Sequence, residues 1–229
     1  MNILALDTSM GACSAALLRS ETAGKRLIAR RAIMERGHAE ALLPMVDEIM
    51  QESGATFADL DRIAATVGPG SFTGVRIAIA AARGFALVTH ASLWGTDSLT
   101  VMAAEAGAAD AGHGAPFAVA VDARREKLYV GTYSAGGERI EGPLLLSPDE
   151  AAERLPGDLK VAVGSGASFL ALAAAAQGLS LEPSLPDLQP SAAALAELAL
   201  LASDCTDTLR PLYLRPADAK PQAPQLARC

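Results

Sequence analysis

The spacing of apolar residues along the chain changes several times, and each change marks an element. Residues 2–6 form a short apolar run closed by Asp7-Thr8-Ser9, the pattern of a buried strand ending in a polar turn. Residues 13–19 and 27–32 read as two more strands joined by a turn around Ala23-Gly24-Lys25. The period then lengthens, with Leu42, Leu43, Val46, Ile49 and Met50 recurring at helical spacing. Pro44 fits best in a first helical turn, so the start of this helix is open. Residues 63–67 read as a strand, Gly68-Pro69-Gly70 as a turn, and 71 to about 89 as a helix.

The second half repeats this order in reduced form. Residues 117–122, 127–133 and 139–146 read as strands, and Ser147-Pro148-Asp149-Glu150 is a helix start of the capping-box type. A strand at 160–163, a Gly164-Ser165-Gly166 turn and Ala/Leu-rich helices at about 168–177 and 191–203 follow. The stretch 182–190, with Pro183, Pro186 and Pro190, reads as a rigid connector. Two copies of one sheet-and-helix unit predict two facing lobes, 1–110 and a reduced 111–215. The Pro- and Gln-rich residues 216–229 read as a tail, partly disordered.

The sharpest local signal is Gly68-Pro69-Gly70-Ser71-Phe72-Thr73-Gly74-Val75-Arg76. It is not a P-loop, because Pro69 stands five residues before Gly74 and Val75 occupies the lysine position. Its GxGxxxG spacing is not the dinucleotide GxGxxG either. Physically it is a strand, a tight turn and a helix with Ser71 as N-cap, whose free amides either hold one anion or simply begin a helix. In that helix Gly74, Ala78, Ala81 and Phe85 follow at steps of four, three and four, a stripe nearly bare of side chains. It suits close approach of another helix, from the same lobe or from a second chain. Arg76 and Arg83 share a neighbouring face as polar anchors at a rim.

His38 invites a metal hypothesis, but Leu42 stands where a second histidine would be needed, and His90 and His113 lie in unrelated contexts. His38 and Glu40 read instead as polar groups at a helix start, facing a partner or solvent. Asp7-Thr8-Ser9 reads as a hydroxyl-rich turn near a phosphate or as the close of a hairpin, and Gly164-Ser165-Gly166 as a nucleotide contact or a tight bend. No GxSxG or HExxH motif is present.

Composition narrows the classes. The chain has 229 residues, 51% hydrophobic and 20% charged, which is an ordinary globular balance. A formal charge of −7 argues against a broad grip on nucleic acid, since phosphates are neutralised by clustered Lys and Arg. Three scattered cysteines, Cys13, Cys205 and Cys229, make neither a disulfide framework nor a CxxC site and suit a reducing cytoplasm. No secretory signal is visible, and no run approaches the ~18 consecutive apolar residues of a membrane helix.

Taken together, Leu6-Asp7-Thr8-Ser9, His38-Ala39-Glu40 with Leu43-Pro44, the run 68–76, Ala81-Ala82-Arg83-Gly84, Asp122-Ala123-Arg124-Arg125 with Tyr129, Gly164-Ser165-Gly166, Pro211-Leu212-Tyr213-Leu214-Arg215 and Ala217-Asp218-Ala219 resemble the TsaB family, also called YeaZ. That family is a branch of the actin, Hsp70 and sugar-kinase superfold. The resemblance implies an α/β, two-lobed actin-like (ribonuclease H-like) fold, each lobe a mixed sheet with helices, the second lobe reduced. It implies a cytoplasmic, non-catalytic scaffold that pairs with the catalytic subunit TsaD, works with the ATPase TsaE and meets tRNA through the complex rather than directly. The product is threonylcarbamoyladenosine beside the anticodon.

The implied partner surface includes His38, Glu40, Leu43, Ser71, Thr73, Gly74, Val75, Arg76, Ala78, Ala81, Arg83 and Phe85. Asp7, Thr8, Ser9, Gly164 and Gly166 correspond to a vestigial nucleotide site. No metal and no cofactor are expected, with ATP handled by the partners and weak nucleotide binding left open. The alternatives are a small ATPase or kinase of the same superfold acting alone, a glycoprotease-like metallopeptidase, and a self-associating module that pairs as a homodimer.

Overall fold

The structure is a computed structural model describing residues 1–22, 24–206 and 208–215. The turn expected at Ala23 is therefore only partly described, and the expected tail 216–229, Cys229 and Ala217-Asp218-Ala219 lie outside the described residues.

Strands β1 (Asn2–Asp7), β2 (Ala12–Glu21) and β3 (Gly24–Ile33) form an antiparallel meander. Strand β4 (Arg62–Thr66) then pairs parallel with β1, and β5 (Ser92–Thr96) parallel with β4, so the sheet runs β3-β2-β1-β4-β5. The first strand is continuously apolar because both its faces are covered. Leu4 and Leu6 pack beneath α1 (His38–Ser53) and α2 (Phe72–Thr89), while Ile3 and Ala5 pack against α6 (Ala192–Leu201).

The second sheet repeats the plan. Strands β6 (Phe117–Asp122), β7 (Leu128–Tyr133) and β8 (Arg139–Leu146) are antiparallel, and β9 (Val161–Val163) and β10 (Glu182–Ser184) add in parallel, in the order β10-β9-β6-β7-β8. Helices α4 (Pro148–Ala152) and α5 (Ala167–Ala176) cover one face. Helix α3 (Ser98–Ala108) lies between the sheets, sending Val101 into the first core and Leu99, Met102, Ala103 and Ala106 into the second. Each sheet thus places its strands third, second, first, fourth, fifth, the duplicated unit of an actin-like, two-lobed fold.

Four features depart from the sequence reading. Strand β5 and helix α3 were not anticipated, because α3 is apolar on nearly every side and shows no helical stripe. The proline-rich connector contributes β10, which tolerates Pro183 as an edge strand. Helix α1 starts at His38, so Pro44 sits inside it rather than in its first turn. The split into 1–110 and 111–215 also separates α6 from the sheet it covers. That helix crosses back to β1 and β2, where the buried Arg62 guanidinium donates to the carbonyls of Ala199 and Ala202 at its C-terminal end. Among the described residues α2 is the one helix long and apolar enough to cross a membrane, although Gly74, Val75, Ala78, Ile79 and Ala82 on its inner side are buried within the fold.

Candidate partner-docking face

The end of β1, the glycine turn and the first turns of α2 form one closed unit. Asp7, Thr8 and Ser9 are fully buried. Asp7 Oδ1 accepts hydrogen bonds from the Ser9 amide at 3.2 Å, the Ser9 hydroxyl at 2.7 Å and the Thr66 hydroxyl. Thr8 Oγ1 donates to the Gly74 carbonyl at 2.6 Å, and the Ser71 amide donates to the Ser9 carbonyl at 2.7 Å. The Ser98 hydroxyl closes the far side on Ser9 Oγ at 2.9 Å.

The glycines have a packing cause. A Cβ on Gly70 would stand 2.1 Å from the Ser9 carbonyl oxygen, and one on Gly74 2.0 Å from that of Thr8. The GxGxxxG spacing therefore seats α2 backbone to backbone on the end of β1. The five residues expected as a vestigial nucleotide site are all buried in this arrangement. Asp7 Oδ1, Thr8 and Ser9 are hydrogen-bonded as described while Asp7 Oδ2 is buried without a partner, Gly164 and Gly166 are also buried, and the Gly166 amide is spent on the Ala120 carbonyl at 2.9 Å. Burial raises the Asp7 carboxyl above its ordinary value, against the lowering effects of its Ser9 and Thr66 hydrogen bonds and of nearby His38.

The same unit fixes where the residues of the expected partner surface lie. Gly74, Val75 and Ala78 are buried in the chain's own core, and Ala81 and Phe85 are half-buried beside it. Phe85 stacks on Phe57 at 5.4 Å between ring centroids. The bare stripe faces inward, because α2 must lie flush on β1 and β4. His38 is half-buried too, with Nε2 at 3.0 Å from the Met10 carbonyl oxygen.

A different stripe faces outward. Thr73, Ala80 and Leu87 lie seven apart on α2, with Arg76, Arg83 and Gly84 beside them, and all six are exposed. A Cβ on Gly84 would meet nothing within 4 Å. Leu87 and Val88 at the end of the helix are 80% and 78% exposed. On the adjacent α1, Glu40, Leu43 and Pro44 are exposed, Leu43 at 55%. Of the residues expected at the interface, Glu40, Leu43, Ser71, Thr73, Arg76 and Arg83 are exposed, and the exposed Ala80, Gly84, Leu87 and Val88 were not among those expected. Among the described residues no group of three or more His, Cys, Asp or Glu is arranged to hold a metal.

Fold and site together define a two-lobed, actin-like protein whose first lobe carries an open two-helix face. A family model described as TsaD, tRNA N6-adenosine threonylcarbamoyltransferase, matches residues 31–203. The tRNA threonylcarbamoyladenosine biosynthesis protein TsaB of Escherichia coli strain K12 is 36% identical over 173 residues, 72% of this chain and 72% of that protein. The tRNA N6-adenosine threonylcarbamoyltransferase of Erythrobacter litoralis is 49% identical over 55 residues, 24% of this chain and 16% of that protein. The solved structure of YeaZ from Pseudomonas aeruginosa matches with a TM-score of 0.79 and 29% identity over 93% of this chain and all of that one. The chain belongs to the TsaB (YeaZ) family.

Proposed function

We propose that this chain is a non-catalytic scaffold subunit in the formation of threonylcarbamoyladenosine beside the anticodon of tRNA. It docks through the exposed sides of α1 and α2 onto a catalytic relative of its own fold, a TsaD-like subunit, and acts with a TsaE-like ATPase in the cytoplasm. The observation that carries this reading is the outward stripe Thr73-Ala80-Gly84, low enough for a facing helix to approach closely and bordered by the exposed apolar Leu43, Leu87 and Val88. A monomer gains little by leaving these side chains in water on adjacent helices. The non-catalytic assignment is supported by the closed unit at Asp7, where the protein's own backbone fills the turn in which an actin-like ATPase would be expected to receive phosphates. Without its relative, the same stripe would pair with a second copy.

Two measurements test this reading. Deleting the gene is expected to remove the modified adenosine from tRNA hydrolysates, and normal nucleoside levels by mass spectrometry would overturn it. Co-purification with the TsaD-like subunit is expected to be lost in Ala80→Glu, whose substituted position lies at the centre of the outward stripe.

A further inference from the structure

The last described segment, 208–215, returns to the first lobe and crosses the start of α2. Leu209 is buried in the first core, and the Leu212 amide donates to the Val67 carbonyl at 2.7 Å. Arg215 then reaches the second lobe, donating from Nη2 to the carbonyls of Ala123 at 2.9 Å and Arg124 at 3.1 Å. Between these anchors Tyr213 is held against Phe72, with ring centroids 5.7 Å apart and planes 27° apart. The Arg76 guanidinium lies 3.3 Å from the centroid of Phe72 and 5.2 Å from that of Tyr213. Both rings stay open to solvent, Phe72 at 58% and Tyr213 at 48%.

An aromatic pair packed only to fix the segment would be expected to bury its faces. This pair is fixed from both ends yet leaves 58% of Phe72 and 48% of Tyr213 exposed, with the Arg76 guanidinium covering one side of Phe72. Its charge surroundings are also unlike the rest of the chain. Although the protein carries a formal charge of −7, no acidic residue occurs between Asp61 and Asp97 or within 208–215, whereas Arg76, Arg83, Arg210 and Arg215 do. Among the described residues no carboxylate pairs with Arg76, Arg83 or Arg210. Across the lobe boundary, Asp122 Oδ1 accepts from the Arg124 amide.

From this we infer that Phe72, Arg76 and Tyr213 form a stacking platform for an unpaired base of RNA, with the exposed Arg210 flanking its phosphates. The exposed parts of the two rings offer a π-surface that a base can cover, and the local cation excess attracts a polyanion that the chain as a whole repels. Arg76, Arg83 and Arg210, which pair with no carboxylate among the described residues, suit a polyanion, so RNA is the favoured occupant. The inference adds a direct contact to the expectation that tRNA is met through the complex. It rests on the proposed function only for which RNA is bound. The platform lies at the first turn of α2, at one end of the docking stripe, so the RNA would run beside the seam between subunits.

The test titrates the full-length chain, alone and paired with the TsaD-like subunit, into fluorescently labelled single-stranded RNA, a duplex of equal length and an unmodified tRNA transcript. Anisotropy reads RNA binding, and size-exclusion chromatography of the same samples reads pairing. The single strand is expected to bind tighter than the duplex. Tyr213→Leu is expected to weaken binding by about tenfold while Tyr213→Phe retains it. Arg76→Gln, at an exposed position that does not depend on the fold of the 208–215 segment, is expected to weaken binding and lower the salt slope by about one. Wild-type protein that binds no RNA in either state, or unchanged affinity in both Tyr213→Leu and Arg76→Gln, overturns the inference. Loss of pairing with unchanged RNA affinity also overturns it, because the platform would then be a protein anchor. Pairing lost only in Ala80→Glu leaves the inference standing, so its failure and that of the proposed function are read separately.

Discussion

Thr8 and Gly74 touch backbone to backbone. The Thr8 hydroxyl donates to the Gly74 carbonyl at 2.6 Å, and a Cβ on residue 74 would stand 2.0 Å from the Thr8 carbonyl oxygen. Neither neighbour is a flexible side chain that can swing aside. Gly74→Ala is therefore expected to lower stability by about 1–3 kcal/mol or more, read as a fall in urea midpoint at unchanged slope. Gly84→Ala is the matched control in the same helix, where a methyl group meets open space. It should stabilise the isolated chain by about 0.5–1 kcal/mol through helix propensity. Equal effects of the two substitutions would contradict the seating of α2 described above.

The inward and outward stripes of α2 predict opposite behaviour two residues apart. Ala78 is fully buried in the first core and Ala80 is exposed. Ala78→Glu should leave no folded protein, because it buries a carboxylate among apolar side chains. Ala80→Glu should change stability by no more than about 0.5 kcal/mol and abolish pairing with the catalytic relative. Circular dichroism melts and co-purification together check this, and a stable Ala80→Glu chain that still pairs would remove the docking face.

Asp7 predicts a pH effect of defined sign. Burial raises its carboxyl in the folded state, so the folded chain holds this proton to higher pH than the unfolded chain does. Between the two values the folded state binds more protons, and the Asp7 contribution to stability falls as pH rises. Asp7→Asn keeps an acceptor for the Ser9 and Thr66 hydroxyls without the buried charge. Relative to wild type, the variant should gain stability as pH increases through this window and level off above it. Denaturant midpoints over a pH series measure the difference, and a difference of opposite slope would refute the assignment.

The thiols should differ in reactivity. Cys13 is fully buried and its thiol is pushed up to about 11, first by burial and then by the Asp7 charge, whereas Cys205 is exposed. Iodoacetamide applied to native protein should modify Cys205 and spare Cys13, and both should react in urea. Peptide mass spectrometry reads the sites. Rapid native labelling of Cys13 would mean that the β2 and α1 packing opens readily.

Most strands of both lobes were legible because their signals are local. Residues 2–6, 117–122 and 139–146 are apolar or alternating runs bounded by turn residues, and Ser147 and Glu150 form the capping box that their spacing announces. Helix α3 was not legible, because burial between two sheets removes the polar face that gives a helix its period. Strand β10 was hidden by Pro183, which only an edge position tolerates, and edge position depends on the whole sheet.

By itself the amino-acid sequence determined that two similar sheet-and-helix units occur, that a glycine turn opens α2, and that Gly74, Ala78 and Ala81 share one side of that helix. Periodicity establishes which residues lie together. Only the tertiary structure decided which side turns inward, since that depends on where β1 ends and how closely its carbonyls approach the helix. The same long-range packing returned α6 and the 208–215 segment to the first lobe and set Tyr213 beside Phe72 and Arg76. Contacts between residues far apart in the chain leave no periodic trace in the sequence, because they are fixed by the path of everything between them.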